Sequence, residues 1–257
     1  MSGEIIGLHH WLASPPGRYL LTWEQERYDE LVADIFGYHA LQLGMPDLAG
    51  LRANRMPHRW LALGAEQEAQ PPACDDAPAL ALWAEDVALP FPEASLDLVA
   101  MPHTLELSKD AHAALREVYR VLVPEGRVVI SGLNPWSLWG LRQWRARLYQ
   151  RCGGGGQLYL PDVGEFIAPG RLRDWLRLLG LELESMSFGC YRPASGSERW
   201  LEHYGWMDGL GARWWPILGA AYVIVAVKRV PGMRLLEPAW RRAPKAAAAQ
   251  VQVARRH

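Results

Sequence analysis

Between Ala84 and Asn134 two short apolar runs, Leu96 to Ala100 and Val128 to Ser131, flank a single amphipathic one. Runs that short and that apolar have the pattern of strands covered on both faces. Between them Ala111, Leu115, Val118 and Leu122 recur at helical spacing, and Pro124 with Gly126 ends the helix. A strand, a helix and a strand in that order point to a parallel pair, because the helix carries the chain back to start the second strand in the same direction. The chain is therefore expected to be α/β.

The flanks extend the alternation. Thr22 with Gln25 three places on has the form of a capping box, opening a helix whose apolar face is Tyr28, Leu31, Val32, Ile35 and Phe36, with Gly37 as terminator. Ala40 to Leu43, Trp60 to Leu63 and Ala79 to Trp83 read as strands, Leu48 to Arg55 as a short helix, and the Pro-rich stretch 70–78 as loop. Downstream, Trp139 to Arg151 is a helix carrying Arg142, Arg145, Arg147 and Arg151, and Gly153 to Gly156 is a hinge-like loop. Leu172, Trp175, Leu176 and Leu179 form another helical face closed by Gly180, with strands from Leu181 to Phe188 and Tyr222 to Val227. Residues 1–21 read as an arm or lid and 22–229 as the domain, with 136–168 and 199–219 as insertions. From residue 230 a basic tail with three prolines shows no core pattern and is expected to be disordered.

Composition narrows the function classes. Half of the 257 residues are apolar, enough for a sizeable core, and a formal charge of -1 gives no overall field for nucleic acid or anionic lipid. Cys74, Cys152 and Cys190 are odd in number and lack C-x-x-C spacing, which argues against a disulfide framework or a zinc site. The start lacks the basic residues and long apolar core of a signal peptide, and the fourteen-residue stretch Trp214 to Val227 is too short to span a bilayer. A cytoplasmic protein with no transmembrane segment is expected.

One resemblance adds to this. An acidic residue, then L-P-F-P at 89–92, then Ser95 two places before the Asp-Leu-Val of a strand, then L-R-E-V-Y-R-V-L-V-P-E-G at 115–126, is similar to the central half of class I methyltransferases that use S-adenosylmethionine, closest to the small-molecule branch called type 11. The resemblance implies a Rossmann-like, seven-stranded, mostly parallel sheet with an antiparallel C-terminal strand and helices on both faces. It implies S-adenosyl-L-methionine as cofactor and a small-molecule acceptor. In that family an acid and three alternating glycines follow the first strand; here Gln42 stands at the acidic position, Gly44 is the first glycine, and Met45 and Pro46 follow, so the loop is degenerate. By the same resemblance Glu66 is placed to hold the ribose, though it is equally a solvated glutamate of the run A-E-Q-E-A-Q. Asp86 would accept from the adenine amino group with Val87 against the ring, and Met101 would lie in the loop facing the cofactor. Asp97 falls at a structural position.

His103 in that loop is the candidate catalytic base, since an imidazole titrates near neutral pH; a hydrogen-bonded loop histidine is the alternative. Asn134 either lines the pocket or starts a turn before Pro135. The function the resemblance implies is methyl transfer, which needs donor and acceptor held in line and no metal or triad. Two alternatives stay open: a methyltransferase fold that binds without turnover, and a partner or membrane-surface module using the Trp-rich segment and the basic tail.

Overall fold

The computed structural model describes residues 8–64, 79–152, 158–161 and 166–229. A short helix α1 (Leu8–Leu12) leads into α2 (Pro15–Ala33). The helix expected from Thr22 thus starts two turns earlier. Ser14 is its cap, accepting from the Gly17 amide, and two prolines occupy first-turn positions that need no N–H. Thr22 lies inside the helix and donates its hydroxyl to the Arg18 carbonyl at 2.9 Å.

Seven strands form one sheet: β1 (His39–Leu43), β2 (His58–Leu63), β3 (Ala79–Trp83), β4 (Leu96–Pro102), β5 (Leu122–Leu133), β6 (Leu181–Gly189) and β7 (Ala221–Lys228), in the order β3-β2-β1-β4-β5-β7-β6. The pairs among β1 to β5 are parallel, and β7 runs antiparallel between β5 and β6. The expected seven-stranded, mostly parallel sheet with an antiparallel C-terminal strand is what forms. Strand alternation then sorts the core. Leu98 and Ala100 of β4 and Val223 and Val225 of β7 pack with Leu20, Tyr28 and Val32 of α2. Val99, Met101, Ile224 and Ala226 face the other way, against α4 (Ala111–Val121) and α6 (Pro169–Leu178). Each fully buried aliphatic side chain contributes about 1.5–3 kcal/mol.

The short helix expected over 48–55 is absent; turns carry β1 to β2 instead. Gln42 pins the start of this segment in turns, its side chain bonding the carbonyls of Gly44, Met45 and Leu48 and the Gly50 amide, so that the Leu48 carbonyl is taken by a side chain. These turns pack on the α2 face through Met45, Leu48 and Leu51, whereas β4 reaches β5 through α4 on the opposite face. Connections that leave adjacent strands toward opposite faces open a crevice at the strands' carboxyl ends, here between β1 and β4.

β5 is longer than expected because pairing with β4 resumes on both sides of Pro124-Glu125-Gly126, with Glu125 at φ 65 and a register shift absorbing the extra residues. At the far end of the sheet the Lys228 ammonium donates to the Tyr119 and Leu122 carbonyls at 2.7 and 2.8 Å, closing the C-terminus of α4. Burial pushes the lysine's pKa down. Replacing Lys228 with Met should therefore strand two buried carbonyls and cost about 1–3 kcal/mol, read as a lower urea midpoint with an unchanged slope.

Candidate active site

At the carboxyl ends of β1 and β4 the backbone turns through left-handed conformations: Gly44 at φ 69, Met45 at φ 49 and His103 at φ 50. Non-glycine residues held there store strain, which collects where a fold is shaped around a ligand. Thr104 ties the two strand ends together, its hydroxyl donating to the Leu43 carbonyl at 2.7 Å.

Gln42 is fully buried. Its Nε2 donates to the carbonyls of Leu48 (2.7 Å), Met45 (3.0 Å) and Gly44 (3.3 Å), and its Oε1 accepts from the Gly50 amide at 2.9 Å. An amide can do this and a carboxylate cannot, because three of the four partners are acceptors. The loop has therefore turned its carbonyls inward around a donor. Met45 points into the α2-side core, while Pro46 and Asp47 stay half-exposed. Introducing the acid, Gln42→Glu, should destabilise the fold by about 2–4 kcal/mol, measurable by chemical denaturation, whereas a change that only touched a ligand would leave the midpoint alone.

Asp86 and Val87 sit in a tight turn after β3, bridged by Glu85 and Ala88. Val87 packs against the α4-side core and the Asp86 carboxylate remains half-exposed. Glu66 lies outside the described residues. Met101 is fully buried among α4-side residues. Asn134 is buried and stitches loops, donating to the Ile217 and Gly219 carbonyls at 2.7 and 2.9 Å and accepting from the Trp136 amide. Asp97 accepts from the amides of Tyr38 and His39 at the opposite end of the sheet, the structural role expected of it.

His103 is the centre of a network that sequence reading only half anticipated. The ring is fully buried, with Nδ1 2.7 Å from Glu106 and Nε2 2.9 Å from Glu24 of α2. Glu106 also accepts from the Leu133 amide at 2.6 Å, so the network spans the ends of β4 and β5 and the helix above them. Burial alone would push the imidazole pKa down, but the two carboxylates outweigh it and hold it well above its ordinary 6.5. Glu106 is itself raised by burial, against the pull of His103. An imidazolium donating both N–H groups has no lone pair to take a proton from an acceptor. Glu24 was the residue missed, and its signal was a lone acid at four-residue spacing within the apolar series Leu20, Tyr28, Val32.

The sign of the pH dependence follows. A folded pKa above the unfolded 6.5 adds stability in full below pH 6.5, and that contribution is lost as pH rises through the folded value. Stability should fall from pH 6.5 toward 8, and His103→Gln should flatten that slope in urea titrations; a wild-type profile with no fall across this window would show that the ring is not held charged.

One oxygen of the buried pair of carboxylates, Glu24 Oε2, has no hydrogen-bond partner. Two acids, one on α2 and one just after the end of β4, thus flank a single buried imidazole. The strand order, with β7 antiparallel between β5 and β6, is the one the resemblance to methyltransferases led us to expect. Residues 62–130 match the family model described as a methyltransferase domain. An uncharacterised Escherichia coli (strain K12) protein, YafS, is 36% identical over 146 residues, 57% of this chain and 54% of that one. A demethylmenaquinone methyltransferase of Thermus thermophilus is 34% identical over 121 residues, 42% of this chain and 55% of the relative. The matched stretch thus spans about half the length of each. A crystal structure of an S-adenosylmethionine-dependent methyltransferase from Archaeoglobus fulgidus superposes with a TM-score of 0.54 at 17% identity, covering 82% of this chain and 94% of that one, a likeness of fold. Over residues 62–130 and in its strand order the chain is similar to S-adenosylmethionine-dependent methyltransferases.

Proposed function

We propose that the chain transfers a methyl group from S-adenosylmethionine to a small, largely apolar acceptor of the quinol class. The observation that carries the donor half is the strand order, with the chain turning left-handed at Gly44, Met45 and His103 at the adjoining carboxyl ends of β1 and β4. When bound, the cofactor supplies a methyl group on a positively charged sulfonium, an excellent leaving group. The chain's part is to hold and align.

In this reading Asp86 accepts from the adenine edge and Val87 packs against the ring, while Gln42 keeps the first loop in shape from within. Glu66 contributes to the ribose. Glu24 supplies the negative charge that the first strand lacks. His103 is a positioning residue, fixing Glu24 and Glu106. The quinol class is supported by the demethylmenaquinone relative and by the apolar surroundings of the rim, where Trp136, Trp214 and Trp215 stand exposed.

The test is calorimetry of the intact chain with S-adenosylmethionine and its demethylated product, followed by methyl transfer to a naphthoquinol. Binding of both is expected, and Asp86→Ala should weaken it about tenfold, the loss of roughly one hydrogen bond to a charged group. Absence of heat with either ligand would remove the donor assignment. Binding with no transfer to any quinol would remove the acceptor class and leave the donor.

A further inference from the structure

Helix α5 (Leu138–Arg151) buries Trp139 and Gln143 and turns Leu138, Leu141, Trp144 and Leu148 to solvent. Those four recur at spacings of three, three and four, which makes a second apolar stripe where a helix of this position should be polar. Helix α8 (Trp206–Trp214) and the turn after it repeat the anomaly, with Trp206, Leu210, Trp214, Trp215, Ile217 and Leu218 all exposed. Trp136 and Trp214 are 72% and 71% exposed, values that a monomer facing only water has no reason to keep for its largest apolar side chains.

The loop before α5 and the turn after α8 are joined. The Asn134 side-chain amide that accepts from the Trp136 N–H donates to the Ile217 carbonyl, while the Arg142 guanidinium ties α5 to the segment after β6 at the Ala194 carbonyl. Both lie beyond the carboxyl end of β5, on the same edge of the sheet as the β1–β4 crevice.

Charge distinguishes what this surface suits. From Asn134 to Arg151 there are four arginines and no acid. From Tyr204 to Gly219 the one acid, Asp208, is bonded to Arg192 at 2.9 Å and to the Tyr19 hydroxyl, while Arg213 is exposed. Tryptophan at a polar–apolar boundary with arginine beside it is the composition of an interfacial helix, whose apolar face enters the acyl boundary while the guanidinium groups meet anionic headgroups. Among the described residues no helix is long and apolar enough to cross a membrane, so the contact would lie on one leaflet.

We propose that α5 and the α8 segment form a docking surface for an anionic phospholipid bilayer, seating the rim of the site on the lipid. This stands on the exposed surface and its charge, and does not require the quinol reading above.

The test uses the full chain and vesicles of phosphatidylcholine with or without phosphatidylglycerol. Co-sedimentation should require phosphatidylglycerol. The pair Trp144→Ser and Trp214→Ser should lower the partition coefficient at least tenfold, and Arg145→Gln and Arg151→Gln should lower it about fivefold each. Lipid brominated near the headgroup should quench tryptophan emission of the unmodified chain, a reading that does not depend on any variant folding. An intact chain that ignores phosphatidylglycerol vesicles, or folded tryptophan variants that bind them unchanged, overturns the proposal. Self-association without lipid, abolished by the same tryptophan changes, overturns it too by assigning the surface to a second copy.

Discussion

An imidazole sealed between two carboxylates is the constraint around which the strand ends are arranged. His103 is left-handed and buried, Glu106 reaches from it to the Leu133 amide, and Glu24 comes down from α2 to its other nitrogen. Buried charges are costly unless paired and hydrogen-bonded, so each member is tolerable only while the other two are in place. The network therefore couples the packing of α2 to the ends of β4 and β5.

Gln42 meets the same need on the neighbouring strand by the opposite chemistry. A family acid accepts hydrogen bonds; here a buried amide donates to three carbonyls and accepts one amide. The exchange changes the backbone with it, replacing a helix after β1 by turns that drive Met45, Leu48 and Leu51 into the core. Loss of the acid at β1 and the appearance of a buried one at Glu24 are on adjacent elements.

The outward faces of α5 and α8 follow a different logic. Packing accounts for Trp139, whose indole donates to the Arg192 carbonyl at 2.8 Å from a fully buried position. It leaves Trp136, Trp144 and Trp214 with nothing to cover them within the described fold. Helix α5 therefore carries one buried and one exposed apolar face among the described residues, with only arginine for charge.

The central strand-helix-strand unit was legible because the information is local: short apolar runs, a 3.6-residue period and a Pro-Gly stop need only neighbours to act. Asp97 was placed as structural by the resemblance, and its two backbone amide partners come from a segment fifty-eight residues away. The start of α2 was misread, since Thr22 with Gln25 and Ser14 with two prolines are competing local signals, and Gly17 packed against Trp11 and Leu12 decides between them. His103 could be marked from sequence as a chemically capable residue, but whether it accepts a proton or holds one depends on Glu24, seventy-nine residues away. The turn chemistry, the alternation and the fold class belong to the sequence alone, because they rest on backbone sterics and burial period. Which acids flank the imidazole, and how the segment after β1 turns around Gln42, were decided only by tertiary structure, which sets distance and solvent exclusion, and with them the strength of every electrostatic interaction there.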